Sequence, residues 1–480
     1  MVFSSESFLF LFLPVFLALY YLTPNRWRSV TILLGSYVFY AWWRIDFLGL
    51  LFLTTLFSYG IGQKIAAHRG TRLGQTYLMI GVVGCLGVLG VFKYLNFFID
   101  SFAMLAGTDA GGLGIHWRLI LPIGISFYVF QALSYLIDVH RGDATADARF
   151  VDFAAFIALF PQLIAGPILR YKDLEDQFRE RDHSVELFCD GLARFLIGLA
   201  KKVLLADAVA PLADVVFGAD SPGMVLAWAG AAAYMLQLYF DFSGYSDMAI
   251  GLGKMMGFRF LENFRFPYIS RSITEFWRRW HISLSNWLRD YLYVSLGGNR
   301  VSARRTYFNL MAVMVLGGLW HGANWTFVLW GVWHGGLLAT ERFFGWDKRA
   351  SGHWFAWPMT LGFVLLGWVM FRATSVGEAV WVYAGLFGAN GLWGDPSLWF
   401  EITRESVAFT VIAAVVVCLE RPLFEAFTQP KPTLNGDVGG VGVISQTGQI
   451  VAVLSVALLG AMAVLKLAEQ SFSPFLYFQF

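Results

Sequence analysis

Three histidines sit in surroundings where titratable groups are scarce. His321 and His334 fall inside GGLWHGANWTFVLWGVWHGG (317–336), a stretch with no Lys, Arg, Asp or Glu. His281 falls among tryptophans in TEFWRRWHISLSNWLRDYLY (274–293). An imidazole in such a place can bind a metal, move a proton, or merely pack. A helical metal site wants two histidines at i and i+4 on one face, and no such pair exists here. The three cysteines, Cys85, Cys189 and Cys418, are far apart and lack metal-site spacing. Zinc chemistry is therefore set aside. His321 and His334 would point about 220° apart on one continuous helix, so they would not share a ligand. Each ring carries polar nitrogens that cost free energy if buried unpaired. Ionisable groups in membrane segments usually face the bundle interior or a wet cavity. Burial keeps the ring neutral, and neutral imidazole is the form that accepts a proton as a general base. Gly322 would leave room for a group approaching His321, and Asn324, at i+3, is a candidate orienting partner. The competing reading is a packed ring satisfied by a backbone carbonyl.

The 274–293 stretch reads as one amphipathic helix. With Trp277 set to zero and about 100° per residue, Trp280, Leu284, Trp287, Leu288 and Tyr291 fall within about 80° of it. His281 lies at about 40°, inside the apolar sector, although amphipathicity needs no histidine there. Arg278 and Arg279 lie outside that sector. Guanidinium forks match phosphate oxygens, which makes these two candidates for holding a phosphate-bearing substrate. They belong to a longer polar stretch, 254–305, with ten basic residues against three acidic ones. Charge alone leaves two readings of it: a topology signal in contact with anionic lipid, or a platform for that substrate.

The elements that must position these residues are membrane helices. The chain has 480 residues, 57% of them hydrophobic and 14% charged, with mean hydropathy +0.59. A soluble domain carries about 25% charged residues, so this is an integral membrane protein. A net charge of +2 implies no nucleic-acid surface. Apolar spans are expected near 7–24, 30–43, 47–62, 76–95, 118–138, 187–204, 222–245, 306–324, 325–343, 354–372, 405–422 and 447–467. The first is read as an uncleaved span, because it lacks a basic leader and a small-residue cleavage site. The fold class is all-α, with about 11–13 transmembrane or re-entrant helices in a single domain over 1–480. Basic residues at 26, 28, 64, 69, 72, 141 and 149 place the N-terminus outside. The segment 151–169 has basic residues on both flanks and is interrupted by Pro161, Gly166 and Pro167. A re-entrant segment resolves both facts, since broken backbone at membrane depth is tolerated only inside protein or against a cavity. Lys201 and Lys202 fit this scheme poorly. Asp241 and Asp247 are read as capping or interhelical groups, and Cys189 as a packing residue. Ser243 and Ser246 have no histidine adjacent in sequence, so direct transfer is preferred over an acyl-serine.

GGLWHGANWTFVLWGVWHG resembles the membrane-bound O-acyltransferase family. So do LPIGISFYVFQALSYLIDVHRG (121–142), FPQLIAGPI (160–168), LQLYFDFSGYSDMAIGLGKMMGF (236–258), NFRFPYISRSITEFWRRWHISLSNWLRDYLY (263–293) and GWVMFRA (367–373). The likeness covers about 1–375 and is nearest to the bacterial branch that O-acetylates alginate. It implies a helical bundle around a central tunnel in the bacterial inner membrane. It implies transfer of an acyl group from a cytoplasmic thioester, acetyl-CoA, with no permanently bound cofactor or metal. The family's catalytic histidine falls on His321 and its second polar residue on His281, while His334 is left as a packing residue. The donor's phosphates would then meet Arg278 and Arg279. The implied partners are acetyl-CoA, periplasmic acetyltransferase or acceptor proteins of a polysaccharide machinery, and the lipid bilayer. Acyl transfer to cellulose or teichoic acid is the alternative within the family. A transporter of an acetyl carrier or lipid-linked sugar is the alternative outside it, and the absence of internal repeats counts against that class.

Overall fold

The computed structural model describes residues 1–146, 148–428, 446–469 and 475–476. Among them the chain is helical, without a strand. We label α1 (Ser7–Leu22), α2 (Arg28–Ala41), α3 (Asp46–Ala67) and α4 (Arg72–Leu105). By length and composition, α3, α4 and Ile450–Glu469 are the described helices able to cross a membrane. The remaining expected spans also fall on helices, but many of these face protein rather than lipid. Met224–Met255, for example, is buried along most of its 32 residues and carries Asp, Ser, Tyr and Gly. An interior helix needs no high hydropathy, which is why fewer helices pass that test than the apolar pattern suggests.

The span expected at 118–138 becomes helical only at Ile125, after Pro122 and Gly124, and forms α5 (Ile125–Arg141). The segment 151–169 forms α6 (Phe150–Ala158) and α7 (Phe160–Leu163), broken at Leu159 with φ −51° and ψ 104°. Phe153 on the way in and Tyr171 on the way out both contact the Tyr135 ring of α5, at 4.4 and 5.0 Å. Between them the chain turns beside the start of α5, where a Cβ on Gly124 would lie 2.4 Å from the Leu163 carbonyl oxygen. It therefore enters and leaves alongside one end of α5 and reverses at the other. Polar atoms freed by the break are satisfied inside the protein: Phe160 N–H donates to Ser36 Oγ at 3.1 Å, and Gln162 Nε2 donates to the Phe156 carbonyl at 2.8 Å.

After α8 (Tyr171–Arg179), the helix expected at 187–204 continues to 217 through a π-turn at Lys201–Ala206, giving α9 (185–217). Lys201 and Lys202 thus lie in mid-helix rather than at a helix end. Lys201 pairs with Asp247 at 3.2 Å and Glu420 at 3.0 Å, and Lys202 with Asp207 and Asp241 at 2.7 Å each. These pairings explain why both lysines disagreed with a charge-counting topology: they answer buried or half-buried acids of neighbouring helices and their own, not a membrane face. Asp247 also accepts from Arg194 at 2.7 Å. The partner helix α10 (Met224–Met255) approaches α9 through facing glycines. A Cβ on Gly198 would lie 2.5 Å from the Gly244 oxygen, and one on Gly251 2.5 Å from that of Gly191.

The 274–293 stretch is not one helix. It forms α11 (Ile273–Arg279) and α12 (Ile282–Trp287), then a π-turn at Leu288–Tyr293. His281 occupies the break in the left-handed region, φ 43° and ψ 54°. The backbone there pairs with the preceding segment instead: Arg265 N–H donates to the Arg279 carbonyl and Ile282 N–H to that of Asn263, both at 2.9 Å. The apolar face survives the break, since Trp280, Leu284, Trp287, Leu288 and Tyr291 are all buried. Next come α13 (Ala303–His321) and α14 (Trp325–Phe344), a tight hairpin. A Cβ on Gly318 would lie 2.2 Å from the Phe327 oxygen, and one on Gly331 2.5 Å from that of Met314. Behind α14 packs α15 (Ala356–Arg372). Cys189, expected to pack, is exposed on α9.

Candidate active site

Forty residues separate His281 from His321 in sequence, yet their rings lie 6.1 Å apart, centroid to centroid. Each is brought there by a helix end. His321 is the last residue of α13, after which Gly322 turns extended. His281 is held by the break between α11 and α12, and Asn263 and Ser283 lock that break. Ser283 Oγ donates to Asn263 Oδ1 at 2.9 Å and accepts from Ile168 N–H at 2.9 Å, which ties it to the segment that follows α7. Both imidazoles are buried, His281 at 0% and His321 at 4% exposure. Aromatic rings enclose them. Phe242 of α10 meets His281 edge-on at 4.7 Å, and Trp330 and Phe371 meet His321 edge-on at 5.1 and 5.2 Å. Trp320 touches both histidines.

His321 and Trp320 line a cavity of about 620 Å³. Its other walls come from the start of the chain, the end of α2 and residues 121–127. These lie at one end of the bundle. At the opposite end, the Tyr20 and Tyr21 hydroxyls of α1 donate to the Met256 and Met255 carbonyls at 2.7 and 2.6 Å. The arginine-rich stretch 254–305 begins at that opposite end. The cavity therefore lies at the end of the bundle away from the start of that stretch, with His321 in its wall and His281 beside His321.

A second hollow of about 420 Å³ is lined by Arg265, Arg271, Thr274, Arg278 and Arg279 among others. Arg278 is exposed. Arg279 is committed elsewhere: it pairs with Glu275 at 2.8 Å and donates to the Arg265 carbonyl at 3.1 Å. The two arginines, grouped together on sequence, are thus placed differently. Among the described residues no group of three or more His, Cys, Asp and Glu is arranged to hold a metal ion.

His334 is buried in a cage of aromatic rings and shares Trp330 with His321. Trp330 and Trp277 are edge-on to it at 5.0 and 5.3 Å, and Phe276 is stacked at 6.3 Å. Gly367 makes room for it, since a Cβ there would lie 2.8 Å from His334 Nε2. Two expectations about the neighbours of His321 are corrected. Asn324 does not orient it: its Oδ1 caps α14 by accepting from Thr326 N–H at 3.1 Å, and its Nδ2 donates to the Thr374 carbonyl at 2.8 Å. Gly322 leaves no open approach, because a Cβ there would meet the Phe327 ring at 2.1 Å.

Sequence reasoning missed two groups. Glu341 of α14 accepts from Ile273 N–H at 2.6 Å and from Thr274 N–H and Oγ1 at 2.9 Å each, capping α11 from outside. Lys93 of α4 donates to Ser126 Oγ at 3.0 Å, to the Trp320 carbonyl and to the His321 carbonyl at 3.3 Å. The available signal for both was an ionisable residue inside an apolar helix.

Comparison with known proteins gives a coherent picture. Residues 144–374 match the model of MBOAT, the membrane-bound O-acyltransferase family. The chain is 51% identical to "Probable alginate O-acetylase AlgI" of Azotobacter vinelandii and 50% identical to the protein of that name in Pseudomonas putida, with full coverage of both chains each time. It is 36% identical to the "Peptidoglycan O-acetyltransferase" of Helicobacter pylori, over 82% of this chain and 81% of the relative.

Proposed function

This chain belongs to the membrane-bound O-acyltransferase family and is an O-acyltransferase of the membrane; from that premise we propose that it carries acetyl groups from cytoplasmic acetyl-CoA to the outer side of a bacterial inner membrane for O-acetylation of alginate. The names of its relatives support the acetyl group and the polymer. The observation that carries the mechanism is the juxtaposition of His321, in the wall of the cavity, with His281, whose ring lies 6.1 Å from it. An acceptor hydroxyl enters through the cavity, and the acyl thioester arrives from the arginine-bearing side. His321 takes the hydroxyl proton as the oxygen attacks the thioester carbonyl carbon. His281 donates toward the carbonyl oxygen as it becomes an oxyanion. Collapse of the tetrahedral intermediate forms the ester and breaks the carbon–sulfur bond. The departing thiolate leaves as CoA thiol, with the proton returned by His321. Aromatic rings around both imidazoles exclude water, and exclusion protects the thioester from hydrolysis. Arg278, exposed in the basic hollow, receives the donor's phosphates. The acceptor hydroxyl belongs to a periplasmic partner protein of the polysaccharide machinery or to the polymer itself.

The test is reconstituted protein with radiolabelled acetyl-CoA and a purified acceptor. His321→Ala is expected to purify and fold like the parent and to lose transfer. A His321→Ala protein that transfers acetyl at the parent rate would remove this histidine from the mechanism. Retained labelling of the acceptor in the absence of the polymer distinguishes a protein acceptor from a sugar.

A further inference from the structure

We infer that Lys93, seconded by Tyr94, is a positioning residue for His321, acting from a different helix on the backbone that carries the imidazole. The inference rests on the reading of His321 as proton acceptor. Lys93 lies within the membrane-crossing helix α4 and is 8% exposed. An ammonium there is expensive, and among the described residues it has no carboxylate partner. Its donors go instead to Ser126 Oγ at 3.0 Å, to the Trp320 carbonyl and to the His321 carbonyl at 3.3 Å. The Tyr94 hydroxyl donates to the next carbonyl back, that of Leu319, at 2.9 Å.

The last four carbonyls of an α-helix have no partner within it. In α13 the Gly318 carbonyl is met by Gly322 N–H at 3.3 Å. The other three, on Leu319, Trp320 and His321, are those that Lys93 and Tyr94 serve. Cations at this end also answer the negative pole of the helix dipole. The chain cannot supply such a cap from its own continuation, because Gly322 leaves helical geometry at φ −157° and ψ 147°. Neighbouring side chains on a regular helix diverge by about 100°. Residues 93 and 94 nevertheless reach one helix end, and they do so in a π-turn, Gly90–Tyr94. Such turns are inserted in helices frequently at functional sites. The clamp thus fixes where α13 stops, and so fixes His321 relative to both His281 and the cavity, whose wall Lys93 also forms.

Three variants test this in purified, reconstituted protein, with His321→Ala as reference and turnover expressed per folded molecule. Lys93→Met keeps the length and removes the donors. It is expected to lower kcat about 10- to 100-fold, the scale of a small misplacement of a reacting group, and to leave the apparent KM for acetyl-CoA within about twofold. Lys93→Arg keeps a charged donor and is expected to recover most of that loss. Tyr94→Phe removes one neutral bond and is expected to cost a few-fold in kcat. If Lys93→Met does not fold, Tyr94→Phe decides. Parent-like kcat in every donor-removing variant that folds, Lys93→Met or Tyr94→Phe, overturns the inference, as does a loss expressed in KM alone. Loss of folded protein with unchanged turnover per folded molecule also overturns it, because that is a purely structural role. An active His321→Ala protein would defeat the base assignment beneath it. An inactive His321→Ala protein beside a fully active Lys93→Met protein would defeat the Lys93 inference alone.

Discussion

His281 offers a way to separate backbone from chemistry at one position. Its φ of 43° places a non-glycine residue in the left-handed region, which costs about 1–2 kcal/mol in an L-amino acid. Replacing it by Ala or by Gly removes the same ring and the same edge contact with Phe242 at 4.7 Å. The loss of those contacts cancels when the two variants are compared. What remains is the backbone. Ala keeps the left-handed penalty, whereas Gly escapes it but loses about 0.5–1 kcal/mol to the entropy of its unfolded chain. His281→Gly should therefore be as stable as His281→Ala, or more stable by up to about 1.5 kcal/mol. At an ordinary helical position the sign is reversed, with Gly worse by about 1 kcal/mol. Turnover should behave differently, falling about 10²- to 10³-fold in both variants if the ring is the donor to the oxyanion. Thermal unfolding in one detergent and acetyl transfer from radiolabelled acetyl-CoA measure the two quantities on the same preparations. An Ala variant clearly more stable than the Gly variant would refute the strained-backbone argument. A Gly variant that turns over normally would refute the chemical role and leave His281 as a structural break.

Four further outcomes follow from the same geometry. His334→Phe should keep at least partial transfer activity, because its ring sits in an aromatic cage and lines no part of the cavity at His321; a well-folded inactive variant would show that the two histidines of the hairpin were assigned wrongly. Glu341→Gln leaves one amide oxygen to serve three donors of α11, so a loss of about 1.5–3 kcal/mol per charged hydrogen bond given up should appear as a lowered unfolding temperature and faster proteolysis at 270–290. Arg278→Ala should raise the apparent KM for acetyl-CoA with little change in kcat, and the effect should shrink in high salt. Arg279→Ala, by contrast, should act on stability through Glu275 and the Arg265 carbonyl. Equal KM effects from both arginines would contradict that division.

The sequence made His321 and His281 conspicuous because both interrupt patterns that did not need them. Their proximity came from the family resemblance, not from spacing, and 6.1 Å across forty residues is a tertiary fact. The interruption of 151–169 was legible because prolines are local signals, and the helix does break there, at Leu159. The break at His281 was not. Neither Gly nor Pro marks it, and the buried face keeps helical spacing on both sides, so a periodicity argument passes straight over it. The backbone breaks because Asn263 and Arg265 offer it hydrogen bonds from a neighbouring segment. Lys201 and Lys202 failed as topology markers for a related reason. A charge count assumes that a basic residue faces water or headgroups, whereas these face Asp247, Glu420, Asp207 and Asp241. Asn324 lay at a plausible spacing from His321 but was better used as an N-cap of the next helix.

The candidate site is assembled from helix ends rather than helix middles, and this bears on how a membrane enzyme can hold polar chemistry in an apolar interior. Unpaired backbone groups at membrane depth are costly unless protein or water answers them. Each end here is answered from outside its own helix, by a side chain or by the backbone of another segment. Lys93 and Tyr94 serve the carbonyls at the end of α13. Glu341 serves the N–H groups at the start of α11. Asn263, in the segment before α11, accepts from Ile282 N–H and Ser283 Oγ at the start of α12. The same bonds that satisfy the backbone therefore fix the angles at which α11, α12 and α13 meet, and the two histidines stand at that meeting. A helix middle would hide its backbone at no such cost, but it would allow only the side-chain directions of a 3.6-residue repeat. Ending α13 at His321 and breaking α11 from α12 at His281 brings the two rings to 6.1 Å from each other, a placement that neither helix middle could give.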